Sequence, residues 1–210
     1  MKVCIFGDSI TWGACDYRQG GWATRIRNYF EERGDTPLGS DGSLVYVTAY
    51  NLGIPGDTTE GLLARFDAEA GVREAEVVIF AIGINDASER KSDGNPRVTE
   101  ERFAANIAEL AAQAKKRTSK VIFIGLTRVD EAKTNPIPWN LEKSYKNERI
   151  ERYDNLIRDL CDKEKLLYID MRGVVAIEEM EDGLHPDTLG HEKMFMKIKA
   201  ELETYLSFHE

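Results

Sequence analysis

Apolar stretches of strand length alternate along this chain with longer stretches of helical periodicity. Five strands are predicted, at residues 2–6, 44–51, 77–82, 120–126 and 166–170. Helices are predicted at 22–33, closed by Gly34, at 59–70, 99–116 and 146–164, and from Asp187 or Thr188 to about 206. Because such helices are long enough to cross between parallel strands, the pattern predicts an α/β fold, a three-layer α/β/α sandwich.

The predicted elements follow one another without a break that would divide the chain. No linker rich in Pro, Ser or Gly and no block of like charges interrupts the 210 residues, of which 42% are hydrophobic. We therefore expect a single domain spanning 1–210. Residues 127–145 are the exception to the pattern, since they contain two prolines and Trp139 without clear periodicity, and we interpret them as a functional loop or lid.

Charge and targeting signals narrow the possible partners and the compartment. The net charge is −9 and the acidic residues are interspersed with basic ones, which argues against a nucleic-acid partner. No apolar run is long enough to span a membrane, and the first strand begins at once, leaving no room for a signal peptide. We expect a cytoplasmic protein, with a processed secreted form as the alternative; the pattern gives no indication of oligomeric state.

The cysteines point to neither a disulfide framework nor a zinc site. Cys4, Cys15 and Cys161 are odd in number and have unrelated spacings. Cys4 and Cys161 fall in predicted core segments. Cys15 lies in a loop near the first turn, and we expect it to line a pocket rather than to act as a reactive thiol.

Polar residues and glycines end the first three predicted strands. Gly7-Asp8-Ser9 ends the first, Asn51-Leu52-Gly53 the second, and Gly83-Ile84-Asn85-Asp86 the third. The carboxyl ends of parallel strands meet at one edge of the sheet, so Ser9, Gly53 and Asn85 are expected to be neighbours. Ser9 is then a candidate nucleophile, although an Asp-Ser pair after a strand is also an ordinary helix cap.

One histidine is well placed to act as the base for such a nucleophile. His185 follows a glycine-containing turn and precedes a proline, whereas His191 lies inside the last helix and His209 near the end of the chain. Asp182, three residues earlier, could orient the imidazole and stabilise the imidazolium; its alternative role is that of a turn residue. Weaker candidates for this role are Glu179 and Glu181.

Acyl transfer also needs donors for the oxygen that becomes negative. The backbone N–H groups of Ser9 and Gly53 and the side-chain amide of Asn85 are the candidates for this oxyanion hole. Glycine allows close backbone approach, and an amide donates a hydrogen bond at every working pH. The alternative is that Gly53 and Asn85 only form tight turns.

Taken together, these segments resemble the SGNH hydrolase superfamily, the GDSL-type esterases and lipases. Residues 7–9 resemble its first sequence block, 51–53 its second, 83–86 its third and 182–186 its fifth. The resemblance implies a flavodoxin-like sandwich with five parallel strands, the nucleophile Ser9, the donors Gly53 and Asn85, a triad completed by Asp182 and His185, and neither cofactor nor metal. One departure is Ile10, where the family motif has leucine.

The expected function is a serine esterase that hydrolyses carboxylic esters, with small or polar acyl esters such as acetylated sugars favoured. The partner is then a small-molecule ester, whose selection falls to the loops 12–20, 87–96 and 127–145. One alternative is a lysophospholipase or thioesterase-type acylhydrolase. Another is a non-catalytic α/β domain that binds a small molecule. A metal cluster of Asp8, Asp86 and His185 for phosphoester hydrolysis is the least favoured alternative, since the chain lacks the dense ligand clustering of two-metal sites.

Overall fold

A five-stranded parallel sheet forms the centre of the structure, a computed structural model that describes residues 1–32 and 46–206. The strands of this sheet are β1 (Lys2–Gly7), β2 (Thr48–Gly53), β3 (Val77–Ala81), β5 (Val121–Ile124) and β7 (Leu167–Ile169). A separate two-stranded ribbon consists of β4 (Glu89–Arg90) and β6 (Lys143–Ser144). The order across the main sheet is β2-β1-β3-β5-β7, and each neighbouring pair is parallel.

Helices cover both faces of this sheet. They are α1 (Ser9–Trp12), α2 (Gly21–Glu32), α3 (Thr59–Val72), α4 (Glu100–Lys115), α5 (Glu131–Thr134), α6 (Asn147–Glu164) and α7 (Thr188–Tyr205), with a 3₁₀ turn at Ile177–Glu179. Helix α2 packs against α7, while α4 packs between α3 and α6. With right-handed crossovers this pairing puts α2 and α7 on one face and α3, α4 and α6 on the other. The predicted three-layer sandwich is confirmed.

Aromatic side chains in the three central strands fix the sheet just below the turns that carry the polar residues. Phe6 is in register with Phe80, and Phe80 with Phe123, with ring centroids 6.0 Å and 5.0 Å apart. Phe66 of α3 covers the first two rings from one face, at 5.1 Å and 5.3 Å. All four side chains are buried. Their packing gives the strand ends a fixed position relative to one another.

Most predicted boundaries agree with the structure, and β2 is the main difference. The strand was expected at 44–51, but it begins at Thr48 and continues to Gly53; positions 44 and 45 lie outside the described residues. The reason is its partner, since Lys2 begins β1 and pairs with Thr48, while Gly7 ends β1 and pairs with Gly53. The predicted end of the first helix at 33–34 also lies outside the described residues.

Residues 127–145 contain regular secondary structure, whereas the sequence predicted a functional loop or lid without it. They include α5 and β6, and β6 pairs antiparallel with β4, placing Ser144 opposite Glu89 and Lys143 opposite Arg90. Two-residue strands are too short to show a period of two in the sequence, which explains why they were not predicted. Within the described ranges, no helix combines the length and apolar character that crossing a bilayer requires.

Candidate active site

The first three strand ends meet where the topology of the sheet changes direction. Strand β1 lies between β2 and β3, so the crossovers leaving β1 and β2 run in opposite directions. Ser9 follows β1, Gly53 ends β2 and Asn85 follows β3. Such a switch point at the carboxyl edge is where open α/β sheets bind ligands. The expected convergence of these segments is therefore present in the fold.

A tight turn from strand to helix presents Ser9. Asp8 caps α1, because its Oδ1 accepts a hydrogen bond from the Ile10 N–H at 3.0 Å. Gly7 has no space for a side chain, since a Cβ there would lie 2.1 Å from Thr11 Oγ1 and 2.5 Å from the Ala81 carbonyl. Ser9 begins the helix, so its N–H has no acceptor within the helix and can donate to a ligand.

Ser9, His185 and Asp182 form one hydrogen-bonded chain. Ser9 Oγ lies 2.8 Å from His185 Nε2, and His185 Nδ1 lies 2.7 Å from Asp182 Oδ2. The other carboxylate oxygen, Asp182 Oδ1, accepts the backbone N–H groups of Leu184 and His185 at 2.9 Å and 2.8 Å. The backbone of residues 182–185 thus holds the Asp182 carboxylate through Oδ1, and the carboxylate fixes the His185 imidazole through Oδ2.

The charge of this carboxylate is maintained by its neighbours. Burial opposes ionisation, but hydrogen bonds from the ring and the backbone N–H of His185 lower the pKa of Asp182 to about 2. Asp182 is therefore ionised at neutral pH and favours a proton on the Nδ1 side of the ring. Glu179, a weaker candidate for the same position, instead forms an ion pair with Lys193.

Asn85 presents a side-chain NH2 group that has no hydrogen-bond partner among the described residues. Its Oδ1 accepts hydrogen bonds from Lys143 Nζ at 3.0 Å and from the Tyr145 hydroxyl at 2.7 Å. Its Nδ2 is buried and has no partner among the described residues. A buried donor without an acceptor costs free energy, and such groups in native proteins are commonly found where a ligand binds. The arrangement can supply one or two N–H donors to a bound oxygen.

Gly53 is close to the Ser9 turn, but its N–H already has an acceptor. A Cβ at this position would lie 2.4 Å from Trp12 N and 2.8 Å from the Asp8 carbonyl oxygen, so only glycine allows β2 to approach α1 this closely. The Gly53 N–H donates to Asn51 Oδ1 at 3.0 Å. Gly53 could serve an oxyanion only by sharing this N–H, and its role as a donor stays a prediction.

Two further buried aspartates support the turns. Asp86 accepts the Thr59 N–H at the start of α3, at 3.0 Å and 3.1 Å, much as Asp8 caps α1. Burial raises the pKa of Asp86 to about 7 and that of Asp8 to about 6. Both carboxylates are thus engaged with backbone N–H groups at helix starts.

The group of side chains with metal-ligand spacing differs from the one considered from the sequence. In the part of the chain that the structure describes, it consists of Cys15, Asp182 and His185, whose ligand atoms lie within 4.8 Å of one another; neither Asp8 nor Asp86 belongs to it. Burial and the nearby Asp182 raise the pKa of Cys15 to about 11, so its thiol is protonated. A metal bound there would take His185 Nδ1 away from Asp182 and disrupt the hydrogen-bonded chain. Cys4 and Cys161 are buried, as expected of core residues.

Several residues around the site were not predicted from the sequence. Trp139 stacks on His185, with ring centroids 6.0 Å apart and planes inclined by 25°. His191 accepts the Trp22 N–H at Nδ1, 3.3 Å away, and its Nε2 lies 2.9 Å from the Ala14 carbonyl, which ties the loop after α1 to α7. Trp139, Lys143 and Tyr145 all lie in the segment 127–145. That segment has no hydrophobic periodicity from which the role of an individual side chain could be predicted.

Comparison with known proteins agrees with this geometry. The model of the GDSL-like lipase/acylhydrolase family matches residues 5–193, which include the three strand ends and the His185 turn. The chain belongs to the GDSL-like lipase/acylhydrolase family. A multidomain esterase of Ruminococcus flavefaciens is 25% identical to this GDSL-like protein. The alignment covers 98% of the present chain and 29% of the multidomain esterase. The chain spans less than half of the length of two curated relatives that it matches.

Solved structures share the fold of this GDSL-like protein. A lipase/acylhydrolase from Enterococcus faecalis superimposes with a TM-score of 0.75 at 23% identity, covering 97% of this chain and 96% of that one. An acetylxylan esterase from Geobacillus stearothermophilus superimposes with a TM-score of 0.70 at 16% identity, covering 96% and 93%. These likenesses concern the fold and support the sandwich architecture.

Proposed function

We propose that this GDSL-like protein is a serine esterase that hydrolyses carboxylic esters through an acyl-enzyme on Ser9. The observation that carries the proposal is the 2.8 Å contact between Ser9 Oγ and His185 Nε2, continued by the 2.7 Å contact to Asp182. Ser9 Oγ attacks the ester carbonyl carbon while its proton passes to His185 Nε2. The imidazolium formed in this step is stabilised by the ionised Asp182.

The second half of the cycle uses the same groups. The tetrahedral intermediate collapses when the bond to the alkoxy oxygen breaks, and His185 Nε2 returns the proton to the leaving alcohol. Water then attacks the acyl-enzyme and gives a proton to Nε2; the bond to Ser9 Oγ breaks, Oγ recovers the proton and the acid leaves. The oxyanion of both intermediates is bound by the Ser9 N–H and Asn85 Nδ2, with the Gly53 N–H as a third donor that it shares with Asn51 Oδ1. Each such donor contributes on the order of 100- to 1,000-fold in rate.

For the substrate, we propose small or polar acyl esters such as acetylated sugars. His185 protonates the leaving alcohol, so the Trp139 ring that stacks on His185 lies on the alcohol side of the site. Trp139 and Trp12 are each about half exposed, at 54% and 56%, and exposed aromatic rings are suited to bind sugar faces. The fold neighbour described as an acetylxylan esterase agrees with this choice.

The loops around the site support a short or polar acyl group. Segments 12–20, 87–96 and 127–145 mix aromatic, charged and proline residues and contain no long apolar run that would line a tunnel for a long acyl chain.

Replacement of the nucleophile tests the reaction. Ser9→Ala is expected to lower kcat for p-nitrophenyl acetate by at least about 1,000-fold and to abolish labelling by a fluorophosphonate probe, with circular dichroism unchanged. Ser119→Ala is the matched control, because Ser119 is exposed and precedes β5 at the opposite edge of the sheet. Equal rates for Ser9→Ala and the wild type would refute the proposal, and absence of labelling in the wild type would favour the binding-domain alternative.

A substrate series tests the choice of ester. Rates are measured with p-nitrophenyl acetate, butyrate, octanoate and palmitate, a lysophospholipid, an acyl thioester and acetylated xylo-oligosaccharides. We expect kcat/KM to fall with acyl length and acetate to be released from the oligosaccharides. A maximum at octanoate or longer, or a preference for the lysophospholipid or thioester, would contradict the proposed substrate while leaving the serine mechanism intact.

A further inference from the structure

We propose that Lys143 and Tyr145 are positioning residues that hold the Asn85 amide with its NH2 group toward the oxyanion and strengthen it as a donor. The proposal rests on the proposed esterase function. Both residues belong to the segment 127–145, and they lie 58 and 60 positions after Asn85 in the chain. Lys143 and Tyr145 act through Asn85 and are not assigned a contact with the reacting atoms.

The two donors determine which way the amide faces. An asparagine side chain can turn by 180° and exchange its oxygen and nitrogen. A lysine ammonium has three donors and no acceptor, so the amide atom 3.0 Å from Lys143 Nζ has to be the oxygen. Tyr145 donates to the same oxygen at 2.7 Å. The flipped amide would put its NH2 group against an ammonium. The unflipped amide leaves Nδ2 without a partner among the described residues and available for the substrate.

The same two hydrogen bonds polarise the amide. Electron density drawn toward Oδ1 leaves the N–H bonds more positive and makes them better donors. Hydrogen bonds from a charged group are roughly twice as strong as neutral ones, and linked hydrogen bonds strengthen one another where water is excluded. Asn85 and Tyr145 are both buried, at 3% and 1% exposure, so this condition is met. A neutral amide thus gains part of the electrostatic effect of a cation.

The ribbon and its surroundings hold the two donors in place. Lys143 lies opposite Arg90 in the β4–β6 ribbon, and its Nζ lies 4.9 Å from the centre of the Tyr145 ring. The Tyr145 N–H donates to the Thr134 carbonyl at 3.0 Å, and Thr134 Oγ1 donates back to the Tyr145 carbonyl at 3.2 Å. We call Lys143 and Tyr145 together the Asn85 clamp. The backbone contacts of β6 with β4 and of Tyr145 with Thr134 fix the position of this clamp.

The electrostatic cost of Lys143 is unusual for a residue that serves only stability. Its ammonium bonds a neutral amide oxygen rather than a carboxylate, and burial lowers its pKa to about 8. Arg97 lowers this pKa further, while Asp8 and Asp86 raise it. A partly buried cation with such a partner costs free energy that an apolar side chain would not. The clamp is then expected to weaken as the pH rises above about 8, when Lys143 loses its proton.

Kinetics of clamp variants test this role. Lys143→Met and Tyr145→Phe are each expected to lower kcat for p-nitrophenyl acetate by about 10-fold, with KM changed less than about threefold. The wild-type kcat should decline above about pH 8, whereas Lys143→Arg, which stays charged, should retain part of the activity and lose this decline. Lys91→Met is the matched control, since Lys91 is an exposed cation directly after β4. Unchanged kcat in Lys143→Met would overturn the proposal.

Coupling to Asn85 separates positioning from general stabilisation. In an Asn85→Ala background, Lys143→Met should cause no further loss of kcat, because the amide through which it acts is gone. A loss as large as in the wild-type background would overturn the proposal. The Ser9→Ala variant distinguishes the two failures: if wild-type activity does not depend on Ser9, the proposed function fails.

A measurement independent of catalysis completes the test. We expect the Asn85 side-chain NH2 resonances in ¹H–¹⁵N spectra to shift with a midpoint near pH 8 in the wild type. In Lys143→Met they should appear at altered positions and show no such titration. Resonances that are the same in both proteins across pH 6–10 would overturn the proposal even if no ester substrate had been found.

Discussion

Replacing Asp182 by asparagine changes the hydrogen bonds at Oδ2, which come from His185 Nδ1 and the Cys15 thiol, and leaves those at Oδ1 in place. The Leu184 and His185 N–H groups bind Oδ1, which an asparagine carbonyl reproduces. The new NH2 group then occupies the position of Oδ2, 2.7 Å from His185 Nδ1. Because an NH2 group cannot accept the Nδ1 proton, the imidazole adopts the tautomer with its proton on Nε2. That nitrogen faces Ser9 Oγ and no longer accepts its proton.

The expected loss follows from this wrong tautomer. The corresponding change in a well-studied serine protease lowers kcat about 10⁴-fold, and the same effect here corresponds to about 5.4 kcal/mol of barrier. The effect on folding is smaller. The hydrogen bonds from His185 keep the pKa of Asp182 at about 2, against an ordinary 3.8, which corresponds to at most about 2 kcal/mol of stability. This contribution is present above about pH 4 and is lost as the pH falls toward 2.

The assay measures kcat and KM with p-nitrophenyl acetate, and urea unfolding at pH 7 and pH 3. Asp187→Asn is the matched control: Asp187 caps α7 by accepting the Gly190 N–H at 2.8 Å, and asparagine is an equally good cap. We expect this control to keep its activity, and KM to change little in Asp182→Asn. An Asp182→Asn variant with more than a tenth of the wild-type kcat would refute the reasoning.

Two other changes test the supports of the site. Gly53→Ala places a Cβ 2.4 Å from Trp12 N and is expected to displace α1, lower stability by about 1–3 kcal/mol and reduce kcat; wild-type thermal unfolding and kcat would contradict the close approach of β2 and α1. Burial raises the pKa of Asp86 to about 7. The contribution of this residue to the free energy of unfolding is therefore complete below about pH 4 and is lost as the pH rises through 7. Asp86→Asn should reduce this decline in urea unfolding between pH 5 and pH 8, and an identical pH dependence in both proteins would count against it.

The sequence predicts the fold and the main candidate residues because these depend on local signals. Buried strands need apolar runs, and the tight turn after β1 needs a residue without a side chain at Gly7, where a Cβ would collide with Thr11. The cap residues Thr99 and Asp187 also mark helix starts that the structure has at Glu100 and Thr188. Asp182 and His185 are three residues apart, so their contact needs only one turn of chain.

The contacts that were not predicted depend on distant parts of the chain. Lys143 and Tyr145 reach Asn85 only because the β4–β6 ribbon brings two separate segments together, and a two-residue strand carries no periodic signal. The start of β2 is set by the first residue of β1, which lies 46 positions earlier in the register pair Lys2–Thr48. The bond from Gly53 N–H to Asn51 is local, but it depends on a side-chain rotation that composition does not determine.

The β4–β6 ribbon has a consequence for engineering this fold. Segments 87–96 and 127–145 are joined by the pairs Glu89–Ser144 and Arg90–Lys143, and Glu89 also forms ion pairs with Lys146 and Arg149. Exchanging one segment alone with that of another protein would leave Lys143 without its register partner. A graft intended to change alcohol preference should therefore transfer both segments as one cassette.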